Sequence, residues 1–474
     1  MIQISILLLG LGSFFFLCYR ILKSNYFSLG PTGDASAYFF CFSEWKYSLD
    51  RCLLGIGKNH IFPSTFFYSV YFIPDRFLEN YPFFLNFFYS FLFTSLFWAI
   101  TQKTFSLDFL LYFGIFLIFM DFSNFKPHKI LYFAFSPRYF YMISNSFLLA
   151  LFLIEDNSIA KIAFSIIFVS NCIYGSHFSR QFLFLIFLPF LVFYDLNYLI
   201  IILLFLVLIF ISSKSIRDTF LSQIHTFKSQ ISRFSRHNKS GRLRNLFSFT
   251  FFEDFIPAIN TLLVLSLSFF FGYKEVLLIS IISISIFAIT SLKRFEFLGE
   301  SWRYLPYLNL IILSFLMLKL FHFNFFIFAI FLTLKLIYNL FLLIKLPAKP
   351  INMSPINYYV DDLLKDFKND MRNSNFFSQD FRLGTIAINL GYGKKTCEFP
   401  LGRFGEIEEF KRDYPYLDYK LFKDNIIEGK NIKINYSIIS NDYISKLDSN
   451  FKEDFSLIKN NEKLSLYIKN DKQR

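Results

Sequence analysis

The sequence predicts a polytopic α-helical membrane protein of about 11 to 12 transmembrane helices, followed by a small soluble C-terminal α/β domain. Hydrophobic residues make up 54% of the 474 positions and charged residues only 18%, whereas a soluble domain carries about 25% charged residues. The apolar residues are grouped in blocks that approach or exceed the length needed to cross about 30 Å of hydrocarbon. This patterning excludes a single soluble domain.

Eleven apolar runs are candidate membrane spans, and they place residues 1–346 in a transmembrane domain. The runs are 2–22, 83–101, 106–122, 139–154, 159–175, 182–194, 197–212, 256–272, 275–291, 304–320 and 323–346. The first run lacks a basic start and a small-x-small cleavage site, which indicates a retained helix rather than a signal peptide. A twelfth run, residues 61–73, lies between Pro63 and Pro74 and is short for a crossing. It is interpreted either as a span or as a re-entrant or interfacial helix.

Two polar regions interrupt or follow the spans. Residues 214–245 carry eight Lys and Arg against Asp218 alone. Six apolar residues of this region recur at helical spacing: Ile216, Phe220, Ile224, Phe227, Ile231 and Phe234. This pattern predicts an amphipathic helix whose cations bind membrane lipids; the alternative is a basic loop that only fixes topology.

The second polar region, residues 347–474, predicts a small soluble α/β domain. Its pattern indicates a helix near Tyr359–Met371, a strand at TIAINL (385–390) and another strand near NIKINYSII. The intervening GYGKK matches neither GxGxxG nor GxxxxGK[ST], so a β-turn is favoured over a phosphate-binding loop.

Asp34 is the most informative polar residue of the first polar loop, 23–82. It lies in LGPTGDASAYFF, directly after the first apolar run. A carboxylate held against apolar surface has a raised pKa and can act as a general base. The alternative role, which is compatible with the first, is an N-cap of a helix that begins at Ala35.

A second informative stretch is GESWRYLPY, which contains Glu300, Arg303 and Tyr304. Glu300 and Arg303 are three positions apart, so on a helix they would project from one face. Arginine suits phosphate binding because its guanidinium presents a planar fork of donors. The alternative is a local salt bridge beside an interfacial aromatic belt.

Further phosphate-binding candidates at span ends are Arg138, Arg180 and His177. Whether Asp34 shares a side with Arg303 depends on residues 61–73. If that run does not cross, eight spans separate the two and both face the same side; if it crosses, they face opposite sides. The excess of Lys and Arg in later loops favours the second case, and the short proline-bracketed run favours the first.

These residues together resemble the GT-C glycosyltransferases, integral membrane enzymes that take sugar from a polyprenyl-phosphate carrier. GESWRYLPY is similar to the His-Lys-Glu-x-x-Phe loop of the lumenal mannosyltransferases in that superfamily. Glu300 stands at the Glu position and Tyr304 one place beyond the aromatic, whereas Leu298 and Gly299 replace the His and Lys. The resemblance therefore leaves the sugar open.

The resemblance implies a polyprenyl-phosphate-sugar donor and a glycan, lipid or protein acceptor, with no nucleic acid. It makes Asp34 the catalytic residue, and Arg303, Glu300, Arg180, Arg138, His177 and Tyr304 the substrate-binding residues. No cofactor is predicted, because Asp34 has no adjacent acid; a divalent metal stays an open alternative. The expected location is a bacterial inner membrane, with the active site on its outer face.

Two alternative functions compete with this one. A lipid-linked oligosaccharide polymerase or ligase would also use arginines but would place its catalytic loop between late spans. A flippase would need polar residues in mid-span, and the predicted spans are almost wholly apolar.

Overall fold

The computed structural model describes most of the predicted spans and part of the C-terminal region. The described residues are 2–23, 39, 42, 45–46, 64–105, 108–120, 135, 137–175, 177–214, 216–217, 220, 249–291, 304–345, 356–378, 381–393, 395–398, 434–441, 444 and 449–470. Asp34, Glu300 and Arg303 lie outside these residues, as do residues 221–245 of the basic segment.

Each of the eleven predicted spans coincides with a helical segment. In chain order the helices are α1 (Ile2–Lys23), α2 (Ser64–Val70), α3 (Asp75–Asn80), α4 (Pro82–Phe105), α5 (Phe109–Phe119), α6 (Pro137–Ile154), α7 (Ser158–Tyr174), α8 (His177–Phe182), α9 (Leu188–Tyr194), α10 (Leu196–Ser212), α11 (Phe249–Phe271), α12 (Lys274–Ser291), α13 (Pro306–Asn309), α14 (Ile311–Phe323) and α15 (Phe325–Lys345). A π-helical turn, Leu183–Phe187, joins α8 to α9.

Four segments of the described chain are long and apolar enough to cross a membrane: Phe83–Gln102, Pro137–Ile154, Lys274–Ser291 and Pro306–Phe323. Seven further apolar stretches of 10–17 described residues lie within other helices. The protein is therefore a polytopic α-helical membrane protein. Helix α6 lies at its centre, since almost all of its side chains are buried.

The ambiguous run 61–73 contains the seven-residue helix α2. At 1.5 Å per residue α2 is about 10 Å long, too short to cross the hydrocarbon. Its Phe66 packs against Phe135 and Phe140, with ring centroids 5.4 and 6.0 Å apart. Helix α2 therefore lies at the end of the bundle where α6 begins.

Helices α1 and α5 approach closely through a pair of glycines. A Cβ atom at Gly10 would lie 2.8 Å from the carbonyl oxygen of Gly114, and one at Gly114 would lie 2.8 Å from the backbone nitrogen of Leu7. Small residues at such a crossing let membrane helices gain van der Waals contact that side chains would prevent. The glycine pair thereby fixes how α1 meets the bundle.

Gly10→Ala is expected to destabilise the protein by about 1–3 kcal/mol, because its Cβ would meet backbone rather than a movable side chain. Gly12→Ala is a matched control two positions along the same helix, where a Cβ would have no atom within 4 Å. Thermal unfolding in detergent should show a lower Tm for Gly10→Ala and an unchanged or raised Tm for Gly12→Ala. Equal Tm values would mean that the α1–α5 contact is looser than described.

The C-terminal region forms a five-stranded sheet packed against short helices. Its elements are α16 (Ile356–Leu364), a 3₁₀ turn (Lys365–Phe367), α17 (Lys368–Met371), β1 (Asn375–Ser378), α18 (Phe381–Asn389), β2 (Lys395–Glu398), β3 (Tyr436–Ser440), α19 (Ser449–Asp454), β4 (Phe455–Asn460) and β5 (Leu464–Lys469). The strand order is β2-β1-β3-β5-β4. Strand β1 pairs in parallel with β2 and β3, and β5 pairs antiparallel with β3 and β4.

The helix near Tyr359–Met371 and the strand in NIKINYSII agree with the sequence prediction, but the strand predicted at 385–390 is wrong. These residues belong to α18. Their Ile and Thr content favours a strand, whereas the buried Leu383, Ile386 and Ala387 recur at helical spacing and pack in the C-terminal core. The following GYG is a turn in which Gly391 has φ +87°.

Helix α18 also connects the C-terminal region to the membrane helices. Ile388 is 2% exposed and belongs to the same buried apolar cluster as the membrane helices. Ile386 and Ala387 belong to the separate core of the C-terminal region. Residues of one short helix therefore contribute to both cores.

Candidate substrate site at the helix N-termini

Helices α6 and α8 begin side by side. The guanidinium of Arg138 lies over the ring of Phe178, with its central carbon 4.7 Å from the ring centroid. Pro137 occupies the first position of α6, where a missing backbone N–H costs nothing. Two of the predicted cationic residues, Arg138 and Arg180, are thus on adjacent helix starts, where the positive ends of helix dipoles favour an anion.

Arg180 is buried at the end of α7. Its Nη1 donates hydrogen bonds to the carbonyl oxygens of Ile173 and Gly175, at 2.9 and 3.0 Å. The last carbonyls of a helix have no partner within the helix, so Arg180 satisfies them and neutralises the negative end of the dipole. A Cβ at Gly175 would lie 2.5 Å from the carbonyl oxygen of Asn171, which shows how tightly this turn is packed.

Next to Arg180 in the fold, polar side chains of several helices are linked to one another by hydrogen bonds. The Nδ2 of Asn171 donates to Ser144 Oγ at 2.8 Å and to Asn145 Oδ1 at 2.7 Å. The Nδ2 of Asn145 then donates to Ser179 Oγ at 3.2 Å. The hydroxyl of Tyr307 donates to the same Ser179 oxygen at 3.4 Å. These hydrogen bonds join α6, α7, α8 and α13.

Helix α13 follows the 292–303 segment and breaks from α14 at Leu310. The break leaves backbone N–H groups without a partner in the same helix, and Ser146 Oγ accepts a hydrogen bond from one of them, the Ile311 N–H, at 3.2 Å. Beside the break, the Thr261 hydroxyl donates to the side-chain oxygen of Asn309, Oδ1, at 2.8 Å. Interrupted membrane helices require such partners, because lipid offers none. The residues that follow Arg303 are therefore held firmly.

Tyr304 is fully enclosed by protein, with 0% of its surface exposed. Tyr307 packs its ring on Phe182 of α8, with centroids 4.2 Å apart. Tyr304 was predicted to bind substrate, and its side chain is enclosed by protein in the structure. The burial of Tyr304 and the packing of Tyr307 fix the backbone that follows Arg303.

The described residues of the first polar loop reach the same place. Phe39, five positions after Asp34, packs on Phe135 with centroids 5.5 Å apart, and Phe135 precedes Arg138 by three positions. Lys46 of the loop forms an ion pair with Asp75 of α3 at 2.8 Å. Chain segments flanking Asp34, Arg138, Arg180 and Arg303 are thus gathered at one end of the bundle.

Of the predicted site residues, Arg138 lies in the first turn of α6, Arg180 lies on the neighbouring α8, and Tyr304 lies two positions before α13. His177 is the first residue of α8; its side chain, like Asp34, Glu300 and Arg303, lies outside the described atoms. The described residues contain no group of three or more His, Cys, Asp or Glu side chains that could hold a metal ion.

Sequence reasoning missed Asn145, Ser179 and Tyr307. It treated the spans as almost wholly apolar, and this was wrong: Asn145 is buried in the central helix, and Lys335 is 8% exposed halfway along α15. A polar triplet inside an apolar run, Ser144-Asn145-Ser146, was the available signal. A second signal is structural, since π-helical turns such as Leu183–Phe187 occur often at functional sites.

In the basic segment, the described residues pack on protein. Ile216 is fully buried, and Phe220 packs against Phe210 and Phe184 with ring centroids 4.6 and 5.5 Å apart. Arg217 donates from Nη1 to the carbonyls of Phe210 and Ile211, at 2.9 and 2.7 Å, and so caps α10. The start of this segment is therefore fixed to the bundle.

These features define the class of protein: a polytopic α-helical membrane protein with a small C-terminal sheet. A crystal structure of ArnT from Cupriavidus metallidurans in the apo state is similar to this chain, with a TM-score of 0.55 and 11% sequence identity over 95% of this chain and 96% of ArnT. No protein-family model matches the sequence, and no curated protein does. The likeness is one of fold along almost the whole length of both chains.

Proposed function

We propose that the protein is a membrane glycosyltransferase that transfers a sugar from a polyprenyl-phosphate-linked donor to a glycan, lipid or protein acceptor at the membrane surface. The observation that carries this proposal is the fold shared with ArnT along 95% of the chain. ArnT is an undecaprenyl-phosphate-4-amino-4-deoxy-L-arabinose transferase. The arrangement of cations at one end of the bundle gives independent support.

The leaving group of such a reaction is a phosphate held at the membrane surface by its lipid. As the bond between the sugar's anomeric carbon and the phosphate oxygen breaks, negative charge grows on the phosphate. Preorganised cations and helix N-termini stabilise such charge in a site that excludes water. Arg138 and Arg180 stand at adjacent helix starts, and Arg303 is one position before the buried Tyr304. We assign these arginines to the phosphate, with Arg303 as its main contact.

The acceptor hydroxyl must lose a proton as its oxygen bonds to the anomeric carbon. We assign this proton to the carboxylate of Asp34, a role that a positioned acid can fill near neutral pH when apolar surroundings raise its pKa. Phe39 on Phe135 supports the assignment, because it ties the loop to the end of the bundle where α6 begins. Glu300, His177 and Tyr304 complete the proposed substrate site.

Residues 347–474 are proposed as a separate domain that covers this site or binds the acceptor. The contact that supports this is Ile388 of α18, which belongs to the buried apolar cluster of the membrane helices. Because the proposed donor is a polyprenyl-phosphate sugar, we propose that the protein lies in a bacterial inner membrane with its site on the outer face.

The proposal is tested by purifying the chain in lipid nanodiscs and supplying polyprenyl-phosphate sugars with radiolabelled hexosyl or pentosyl groups. We expect release of free polyprenyl phosphate together with label in an acceptor added as a membrane extract. A protein that binds these donors but translocates them across vesicles without cleaving them would be a flippase, which contradicts the proposal.

Arg303→Lys is expected to raise the KM for the donor about tenfold or more, because a lysine supplies a point charge where the phosphate needs a planar fork. Arg217→Lys is the control, since Arg217 is exposed and, among the described residues, donates to the backbone carbonyls of Phe210 and Ile211. Steady-state kinetics on both variants measure the effect. Unchanged donor kinetics in Arg303→Lys would reduce Arg303 to a membrane anchor.

A further inference from the structure

The outward face of helix α2 and of the turn after it carries aromatic rings instead of charged side chains. Tyr68 is 68% exposed and Phe72 is 92% exposed, while Phe66, Phe67 and Val70 on the other face are fully buried. The helix sequence, STFFYSV, contains no charged residue. A helix at a water-facing surface usually places charged residues opposite its buried face. The outward face of α2 is therefore suited to an apolar neighbour rather than to water.

The exposed rings are held by residues of the first polar loop. Trp45 contacts the ring of Tyr68 edge-on, with centroids 4.9 Å apart, and the ring of Tyr71 in the same way at 5.9 Å. The ammonium group of Lys46 lies 5.7 Å from the Tyr71 centroid and pairs with the Asp75 carboxylate at 2.8 Å. The cation beside these rings is thus compensated by a carboxylate. The aromatic surface consists of Trp45, Tyr68, Tyr71 and Phe72.

Helix α3 leads from the aromatic surface to the lipid-facing side of α4. The exposed rings of Phe77 and Tyr81 lie against Phe84 of α4, with centroids 6.1 and 6.3 Å apart. Phe84, Phe88 and Phe91 are exposed at helical spacing, and α4 contains a segment long and apolar enough to cross the membrane. These three rings of α4 therefore face acyl chains. The aromatic surface adjoins them through α3.

The position of α2 in the bundle corresponds to the membrane boundary. Helix α2 lies at the end of the bundle where α6 begins, and only residues 71–81 separate it from the start of α4. Trp and Tyr are enriched at this level, because their rings are apolar while their N–H and O–H groups reach water. A helix at the boundary can bury one face in protein and the other in lipid.

We propose that α2 and residues 71–74 form an interfacial anchor, which inserts the aromatic surface between the phospholipid headgroups and the acyl chains. The occupant of this surface is the bilayer itself. Its apolar layer receives the ring of Phe72, and headgroups and water bond to the hydroxyls of Tyr68 and Tyr71. A soluble protein or a glycan is a poorer match, because the adjoining rings on α4 face acyl chains. The anchor holds this end of the bundle at a fixed depth.

Site-directed spin labelling of the full chain in lipid nanodiscs measures this depth. Phe72→Cys is introduced after the five native cysteines are replaced by Ser. Collisions of the nitroxide with O₂, which partitions into lipid, are then compared with collisions with a water-soluble nickel chelate. We expect the label at residue 72 to lie about 5–10 Å below the lipid phosphates.

Two reference positions calibrate this measurement. Phe88→Cys places a label on the lipid-facing side of α4 and should lie deeper than residue 72. Leu457→Cys is the water-facing control, since Leu457 is an exposed apolar residue of strand β4 in the C-terminal region. Nickel accessibility at residue 72 equal to that at residue 457 would overturn the proposal. Low collision rates with both reagents would also overturn it, because protein rather than lipid would then cover the ring.

A second pair of variants tests whether Phe72 holds the anchor in the lipid. With the label at residue 68 in a Tyr68→Cys chain, Phe72→Asp should raise nickel accessibility about twofold or more, since a carboxylate is unfavourable among acyl chains. Phe72→Leu keeps an apolar side chain and should leave the accessibility unchanged. Equal Tm values for the two variants would show that both are folded. Equal nickel accessibility in folded Phe72→Asp and Phe72→Leu chains would contradict the anchor.

Discussion

Replacing Asp34 with Asn is expected to lower sugar transfer about 100- to 10,000-fold while leaving expression and membrane insertion intact. A positioned general base contributes a factor of this size, and an amide of nearly the same shape cannot take the proton of the acceptor hydroxyl. The donor should still bind, because the residues proposed to hold its phosphate are arginines, which this variant keeps. The loss should therefore fall on kcat rather than on donor KM.

Asp50→Asn is the control for this variant, since it removes one negative charge from the same polar loop. It should keep wild-type turnover. The pH profile adds a second check: the wild-type rate should fall at acidic pH as a base is protonated, and the residual rate of Asp34→Asn should lack that limb. Wild-type turnover in Asp34→Asn would remove the base assignment.

Arg180→Met is expected to lower the free energy of unfolding by about 2–4 kcal/mol and to abolish measurable transfer. Met fills much of the volume but leaves the carbonyls of Ile173 and Gly175 without the Nη1 donor, each a buried acceptor that costs about 1–3 kcal/mol when unsatisfied. The phosphate would lose one of its cations as well. The loss of stability and the loss of transfer would both follow from removing the Arg180 guanidinium.

Arg217→Met is the control that separates the loss of a helix cap from the loss of a phosphate-binding cation. Arg217 caps α10 with the same geometry, one Nη1 bonded to two carbonyls, but it is exposed, so water can replace it. It should change Tm little and transfer not at all. Thermal unfolding and transfer assays run well below both Tm values measure the pair. Normal transfer in a folded Arg180→Met protein would restrict Arg180 to a helix cap.

The membrane fold could be predicted from sequence because apolar blocks of this length are typical of membrane-spanning helices. Arg138 and Arg180 could be predicted to lie at span ends because each is a charged residue directly beside an apolar block. The strand assigned to 385–390 failed because residue type and periodicity disagreed, and burial of Leu383, Ile386 and Ala387 followed periodicity.

The hydrogen-bonded set around Asn145 and Ser179 could not be assembled from sequence, although the triplet Ser144-Asn145-Ser146 was a local signal of it. Its members are separated by up to 163 positions, from Ser144 to Tyr307. Only the packing of α6, α7, α8 and α13 brings them within hydrogen-bond distance. The roles of Asp34, Glu300 and Arg303 stay predictions, supported by the placement of Phe39 and Tyr304.

The proposed transferase site requires the first polar loop and the 292–303 segment to meet near Arg138 and Arg180 on one side of the membrane. Asp34→Cys and Arg303→Cys, introduced together after the five native cysteines are replaced by Ser, test it directly. A short bifunctional maleimide should link the two positions in native membranes, and a membrane-impermeant thiol reagent should reach both from the same side. Labelling from opposite sides, with no cross-link, would contradict the shared site and with it the proposed transferase.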